Sequence, residues 1–178
     1  EREDALQEYV QALSPLDEVR RELQRCILSE EELADDASPE LSHLRRKEKG
    51  LEEKINQELN RILQHNRSML QDPVITLRNG RHVFPVKAEY KNAFRGIVHD
   101  ESSSGATLFM EPFSIVQLEN DMRELLSLEK KEVEKILLQL SLSLAPFTEE
   151  LGENVKILSH LDFVFAKAKL ANKMDGVK

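Results

Sequence analysis

The sequence predicts a mainly α protein: a helical core and a long antiparallel helical lever pair carrying a small β-rich tip. Three observations carry that expectation. Apolar residues recur at three- and four-residue spacing through most of the chain, which is the period of an amphipathic helix. The one dense run of strand-forming residues lies within residues 73–112. The stretches on either side, residues 39–72 and 113–145, are of similar length and so are expected to pair antiparallel. Residues 1–38 and 146–178 then form the two parts of the helical core.

A chain of 178 residues is one domain, or one domain with an inserted module. It is 40% hydrophobic and 33% charged, without tryptophan, a balance that suits long, partly exposed helices. The net charge of −8 argues against a surface that wraps nucleic acid all round, yet leaves room for a local basic patch. Cys26 is the only cysteine, so neither an internal disulfide nor a cysteine-based zinc site is open to this chain. A reducing compartment is consistent with that. No apolar run approaches the ~20 residues that span a bilayer. The opening Glu1-Arg2-Glu3-Asp4 is not a signal peptide. Both ends lie in helix-like sequence with no starting methionine, so the expectation is a piece of a longer protein.

Taken in order, residues 5–12 read as a short amphipathic helix with Leu6, Tyr9, Val10 and Leu13 on one face. Ser14-Pro15 suits the cap and first turn of the next helix, whose stripe is Leu16, Val19, Leu23, Cys26 and Ile27. Cys26 on that stripe reads as a buried thiol. Ser29-Glu30-Glu31-Glu32 has the form of a capping box for another turn. Ser38-Pro39-Glu40 opens the outgoing lever. Its narrow stripe of Leu41, Leu44, Leu51, Ile55, Leu59 and Ile62 resembles a coiled-coil seam. Run unbroken to Leu70, that lever is roughly 48 Å long, and Asp72-Pro73 ends it. The return lever begins at Pro112, with Ile115, Leu118, Met122, Leu125, Val133, Ile136, Leu140 and Leu144 as its stripe, and Pro146 breaks it. Two further helical runs, 147–158 and 160–174, are broadly apolar. They are expected to pack with residues 1–33 as the one substantial core.

Within residues 73–112, Arg78-Asn79-Gly80-Arg81 separates two β-prone runs. Asn-Gly is the strongest short hairpin signal, because a type I′ turn needs positive φ at both central residues. Pro85 lacks an amide donor, which predicts an edge strand, a strand end or a bulge there. Residues 95–99 and 106–110 read as two more strands joined by the polar Glu101-Ser102-Ser103-Ser104-Gly105 turn. This stretch holds five basic residues against four acidic ones, so it is +1 on a chain whose remainder is −9. Such a tip suits a phosphate-contacting surface. On charge alone the base case is edge-strand protection, since basic side chains block unwanted strand pairing.

No phosphate-binding loop, GxGxxG or HExxH occurs. His43, His65, His82, His99 and His160 are scattered over different elements and make a poor metal site. His99-Asp100 beside three serines resembles a hydrolase only superficially, because a triad is a matter of geometry. These residues suit a strand end and satisfied turn amides. Asn66-Arg67-Ser68 fits a glycosylation sequon but carries no weight in a chain without secretory signals.

Two long motifs carry a family resemblance. They are Thr76-Leu-Arg-Asn-Gly-Arg-His-Val-Phe-Pro-Val-Lys-Ala-Glu-Tyr90 and Gly96-Ile-Val-His-Asp-Glu-Ser-Ser-Ser-Gly-Ala-Thr-Leu-Phe-Met-Glu-Pro112. With Leu13-Ser-Pro-Leu16, Ala37-Ser-Pro-Glu-Leu41, Leu161-Asp-Phe-Val-Phe-Ala166 and Met174-Asp175, they resemble the second MutS subfamily of bacteria and plastids over nearly the whole chain. The resemblance implies a core–lever–clamp region without the ATPase and small nuclease domains that follow it in the family. This segment is then not an enzyme and holds no cofactor, while ATP and Mg belong to the full-length protein. The implied setting is the bacterial cytoplasm or plastid stroma, in a full-length homodimer away from membranes. The implied function is binding of branched DNA with suppression of homologous recombination. The alternative is contact with collided ribosomes and their RNA in ATP-driven ribosome splitting. The residues expected to meet phosphates are Arg78, Asn79, Arg81, Lys87, Lys91 and Arg95. A structural spacer with an inert tip is the third reading, which normal activity of a protein lacking the tip would support.

Overall fold

The computed structural model describes residues 6–174; the opening residues 1–5 and Asp175, noted above, lie outside them. The structure is mainly helical, with long helices and a small four-stranded antiparallel sheet between them. The chain divides into two compact units, residues 35–134 and residues 1–34 with 135–178.

In the unit of residues 35–134, helix α3 (Pro39–His65) begins as its sequence dictates. The Ser38 hydroxyl accepts from Leu41 N at 3.0 Å, and Pro39 occupies a first-turn position where no amide donor is needed. The helices before it are α1 (Gln7–Ala12) and α2 (Asp17–Cys26). Helix α3 stops at His65 rather than Leu70, because Asn66 closes it with both its backbone N–H and its side-chain amide on Ile62 O. Its 27 residues span about 40 Å.

A sheet follows, made of β1 (Thr76–Arg78), β2 (Arg81–Lys87), β3 (Gly96–Glu101) and β4 (Thr107–Pro112), in the order β1-β2-β4-β3. Thr76 pairs with Val83 and Arg78 with Arg81 around the Asn79-Gly80 turn. The φ angles there are +53° and +72°, as a type I′ turn requires. Strand β2 is internal, which corrects the expectation that Pro85 marks an edge, an end or a bulge. Its first half pairs with β1 and its second with β4. Pro85 opposes Phe109, and its carbonyl accepts from Gln71 N at 2.8 Å. Because N–H and C=O of one extended residue share a flank, the missing donor faces away from β4, where β1 has already ended. The bulge lies in β3 instead, between Val98 and Asp100. At the other end of β3, a Cβ on Gly96 would sit 2.4 Å from Glu111 O, so only glycine lets the strands close there.

Helix α4 (Phe113–Leu144) follows β4 directly, so Pro112 ends the strand instead of opening the helix. Within residues 35–134, α3 and α4 run antiparallel: Ser38 bonds Glu132, Arg45 bonds Glu129, and Glu58 bonds Ser114. One face of the sheet closes on both helices. Ile55, Leu59 and Ile62 of α3, Phe84 and Val86 of β2, Leu108 and Met110 of β4, and Ile115 of α4 form a buried cluster. Phe84 opposes Met110 and Val86 opposes Leu108, which puts all four on one face. Midway along the pair the seam opens. Leu51 and Leu125 are only half-buried and line a cleft of about 530 Å³.

In the other unit, α2 begins at Asp17 after Leu16, which takes a left-handed φ of +47°. Ser14 is therefore not the cap. Its backbone instead exchanges two hydrogen bonds with the Asn154 amide. Cys26 is buried. Ser29–Glu32 form a tight reversal closed by an Ile27–Leu33 bridge, not a helical turn. The Ala145–Phe147 3₁₀ turn contains Pro146 and ends α4. Helix α5 (Thr148–Lys173) is one continuous helix, and none of its residues is buried. Among the described residues, the buried hydrophobic cluster lies around the sheet. Among the described residues, no helix is long and apolar enough to cross a membrane.

Candidate nucleic-acid interface

The six residues expected to meet phosphates fall into three environments. Lys91 and Arg95 are exposed, with no ion pair among the described residues. Asn79 is exposed at the turn. Arg78 is half-exposed; its guanidinium lies 4.3 Å from the Phe109 ring centroid and 3.5 Å from Asp100 Oδ2. Phe109 and Asp100 oppose each other on neighbouring strands, and Arg78 reaches both from β1, across β2.

Arg81 and Lys87 are engaged with the protein itself. Arg81 donates to Glu111 Oε1 at 3.2 Å, to Glu119 Oε2 at 3.5 Å and to Asn120 Oδ1. Glu111 and Glu119 are both buried. Two buried carboxylates beside one guanidinium need further donors. His82 N donates to Glu119 Oε1 at 3.0 Å, and the His82 ring approaches the same oxygen. The His99 ring, the residue at the bulge, lies 2.6 Å from Glu111 Oε2. Lys87 Nζ donates to Ser68 O at 3.0 Å.

The hairpin is also tied to α4. Arg123 Nη2 donates to Asn79 O at 3.3 Å and to Gly80 O at 3.2 Å. Sequence reasoning singled out neither Arg123 nor the Glu119–Asn120 pair. The available signal was their spacing: residues three and four apart share one helix face, here a polar face that looks solvated until the hairpin is folded over it. Ser102 Oγ accepts from Thr107 N at 3.0 Å, as a turn hydroxyl does, while His99 is committed to Glu111. Among the described residues, no group of three or more histidine, cysteine, aspartate or glutamate side chains could hold a metal ion.

No family model matches the chain. Individual relatives match it closely. It is 44% identical over 176 residues to Endonuclease MutS2 of Caldanaerobacter subterraneus subsp. tengcongensis, covering 98% of this chain and 22% of that protein. It is 45% identical to Endonuclease MutS2 of Agathobacter rectalis, over 99% of this chain and 23% of the relative. With Endonuclease MutS2 of Lachnoclostridium phytofermentans it shares 47% identity, over 97% of this chain and 22% of the relative. The chain therefore spans a little over a fifth of the length of these relatives. With that identity along nearly all of its residues, the chain is homologous to one region of Endonuclease MutS2.

Proposed function

We propose that residues 73–112 are a clamp that grips nucleic-acid phosphates, carried on levers at residues 39–72 and 113–145 and joined to a core at residues 1–38 and 146–178. The observation that carries this reading is the division of labour among the cations. Arg81 holds the hairpin to α4 through buried carboxylates, while Arg78, Lys91 and Arg95 remain on the surface. Asn79 stands at the turn between them. Exposed cations on and beside the sheet position a phosphate backbone without reading bases. In this reading the full-length protein uses ATP outside this segment, binds branched DNA as a homodimer, and suppresses recombination.

The test is a salt series on the full-length protein with Arg78, Lys91 and Arg95 changed together to glutamine. Each lost phosphate contact lowers the slope of log K against log salt by about 0.9, so the triple variant should lose about 2 to 3 on branched DNA. An unchanged slope removes the clamp from the DNA footprint. A slope lost on ribosomes but kept on DNA moves the clamp to ribosomal RNA.

A further inference from the structure

A second surface lies where β4 passes into α4. Arg61, Asn66, Phe94, Arg95, Phe113 and Ser114 line a cleft of about 520 Å³, a size common among small-ligand sites. Its floor is fixed, because Ile62 and Phe94 belong to the buried cluster. Its rim is not covered: Phe113 is 59% exposed. Phe113 N donates to Arg95 O at 3.1 Å, which ties the two backbones together at the cleft. Arg61 is braced as well, with Nε and Nη2 on the two oxygens of Glu58 at 2.7 and 2.6 Å. Its remaining nitrogen, Nη1, makes no bond among the described residues. Glu58, the carboxylate beside this cleft, is taken up by Arg61 and by the Ser114 hydroxyl. The first turn of α4 carries no acidic residue of its own.

We propose that this cleft takes one unpaired nucleotide, its base against Phe113 and its phosphate against Arg95 and Arg61. The inference rests on the nucleic-acid reading above and deepens it. An exposed ring offers a stacking face to any base. Guanidinium groups offer planar, paired donors to phosphate. A base inside a duplex already has both faces stacked, so only an unstacked base reaches Phe113. The cleft therefore supplies a preference for junctions with unpaired bases over continuous duplex, which Arg78 and Lys91 do not.

The experiment compares full-length wild type, Phe113→Ala and Phe113→Tyr on a continuous duplex and on a three-way junction carrying an unpaired 2-aminopurine. Phe113→Ala should weaken junction binding roughly 5- to 100-fold and leave duplex binding within twofold, while Phe113→Tyr stays near wild type. The 2-aminopurine emission should be quenched by wild type and by Phe113→Tyr but not by Phe113→Ala. Equal weakening on both DNAs, or quenching that survives in Phe113→Ala, overturns the cleft assignment. If changing Arg78 and Lys91 alone to glutamine flattens the salt slope while Phe113→Ala changes nothing, the cleft fails and the clamp stands. If wild type binds neither DNA, both fail.

Discussion

The two compact units treat their apolar residues differently. Around the sheet, Phe84, Val86 and Ile115 are wholly inaccessible, because residues from two helices and two strands converge on the same volume. In the other unit, α5 carries Phe163, Phe165 and Leu170 and buries none of them. The contrast is not one of composition, since both stretches are rich in large apolar side chains. It is one of pattern. Ile55, Leu59 and Ile62 recur on one face of α3, and Phe84 and Val86 alternate along β2, so each element offers a single side for closure. In α5 the apolar residues are spread around the helix, and one neighbouring helix covers only part of such a surface.

The largest expected effect probes this contrast directly. Phe84→Ala should cost about 3–5 kcal/mol, whereas Phe163→Ala should stay within about 0.5 kcal/mol, as exposed positions do. Hydrogen exchange at the β2 and α5 amides reads both losses; equal losses would erase the distinction. Next comes the buried charge cluster. Arg81→Met leaves Glu111 and Glu119 without their shared cation and should cost about 3 kcal/mol. Adding Glu119→Gln should recover part of that, and a double variant no better than the single would show that Arg81 matters only for packing. A smaller effect separates two glycines of the same unit. Gly96→Ala drives a Cβ into the Glu111 carbonyl and should cost about 2 kcal/mol. Gly50→Ala meets nothing within 4 Å on an exposed helix and should gain up to about 1 kcal/mol. A thermal shift of the same sign in both would break the comparison.

The smallest effect concerns pH. The bonds from Arg61 and then Ser114 hold the Glu58 carboxyl down at about 2, from an ordinary value of 4.5. A lowered carboxylate stabilises the fold above its unfolded value and loses that contribution as pH falls through its folded one. The Glu58 share should therefore fade between about pH 4.5 and pH 2. The partner guanidinium is 60% exposed, so solvent screening keeps the effect small. Glu58→Gln should flatten this part of the acid unfolding curve; an unaltered curve would place the acid sensitivity elsewhere.

Much of the fold was legible in short stretches. Ser38-Pro39 announced the start of α3, and Asn79-Gly80 announced the hairpin, because each acts through its own backbone and its immediate neighbours. All four strands were visible as β-prone runs. The candidate site was legible in part. Arg78, Lys91 and Arg95 could be named as cations near a turn, but nothing local distinguishes them from Arg81, whose partners lie 30 and 38 residues away. Phe113 and Arg61 went unremarked for the same reason: their cleft exists only once β4 has delivered α4 beside the end of α3.

The chain's residues alone therefore determined its helical and extended segments, its turn and its antiparallel plan, since these follow from dihedral preference and hydrophobic period. Only the tertiary structure decided that Pro85 can occupy an internal strand, that the packed cluster gathers at the sheet, and which arginines are drawn into buried contacts. Those outcomes depend on register and on partners distant in sequence. A shift of one residue in strand pairing would exchange the two faces of the sheet without altering any local signal.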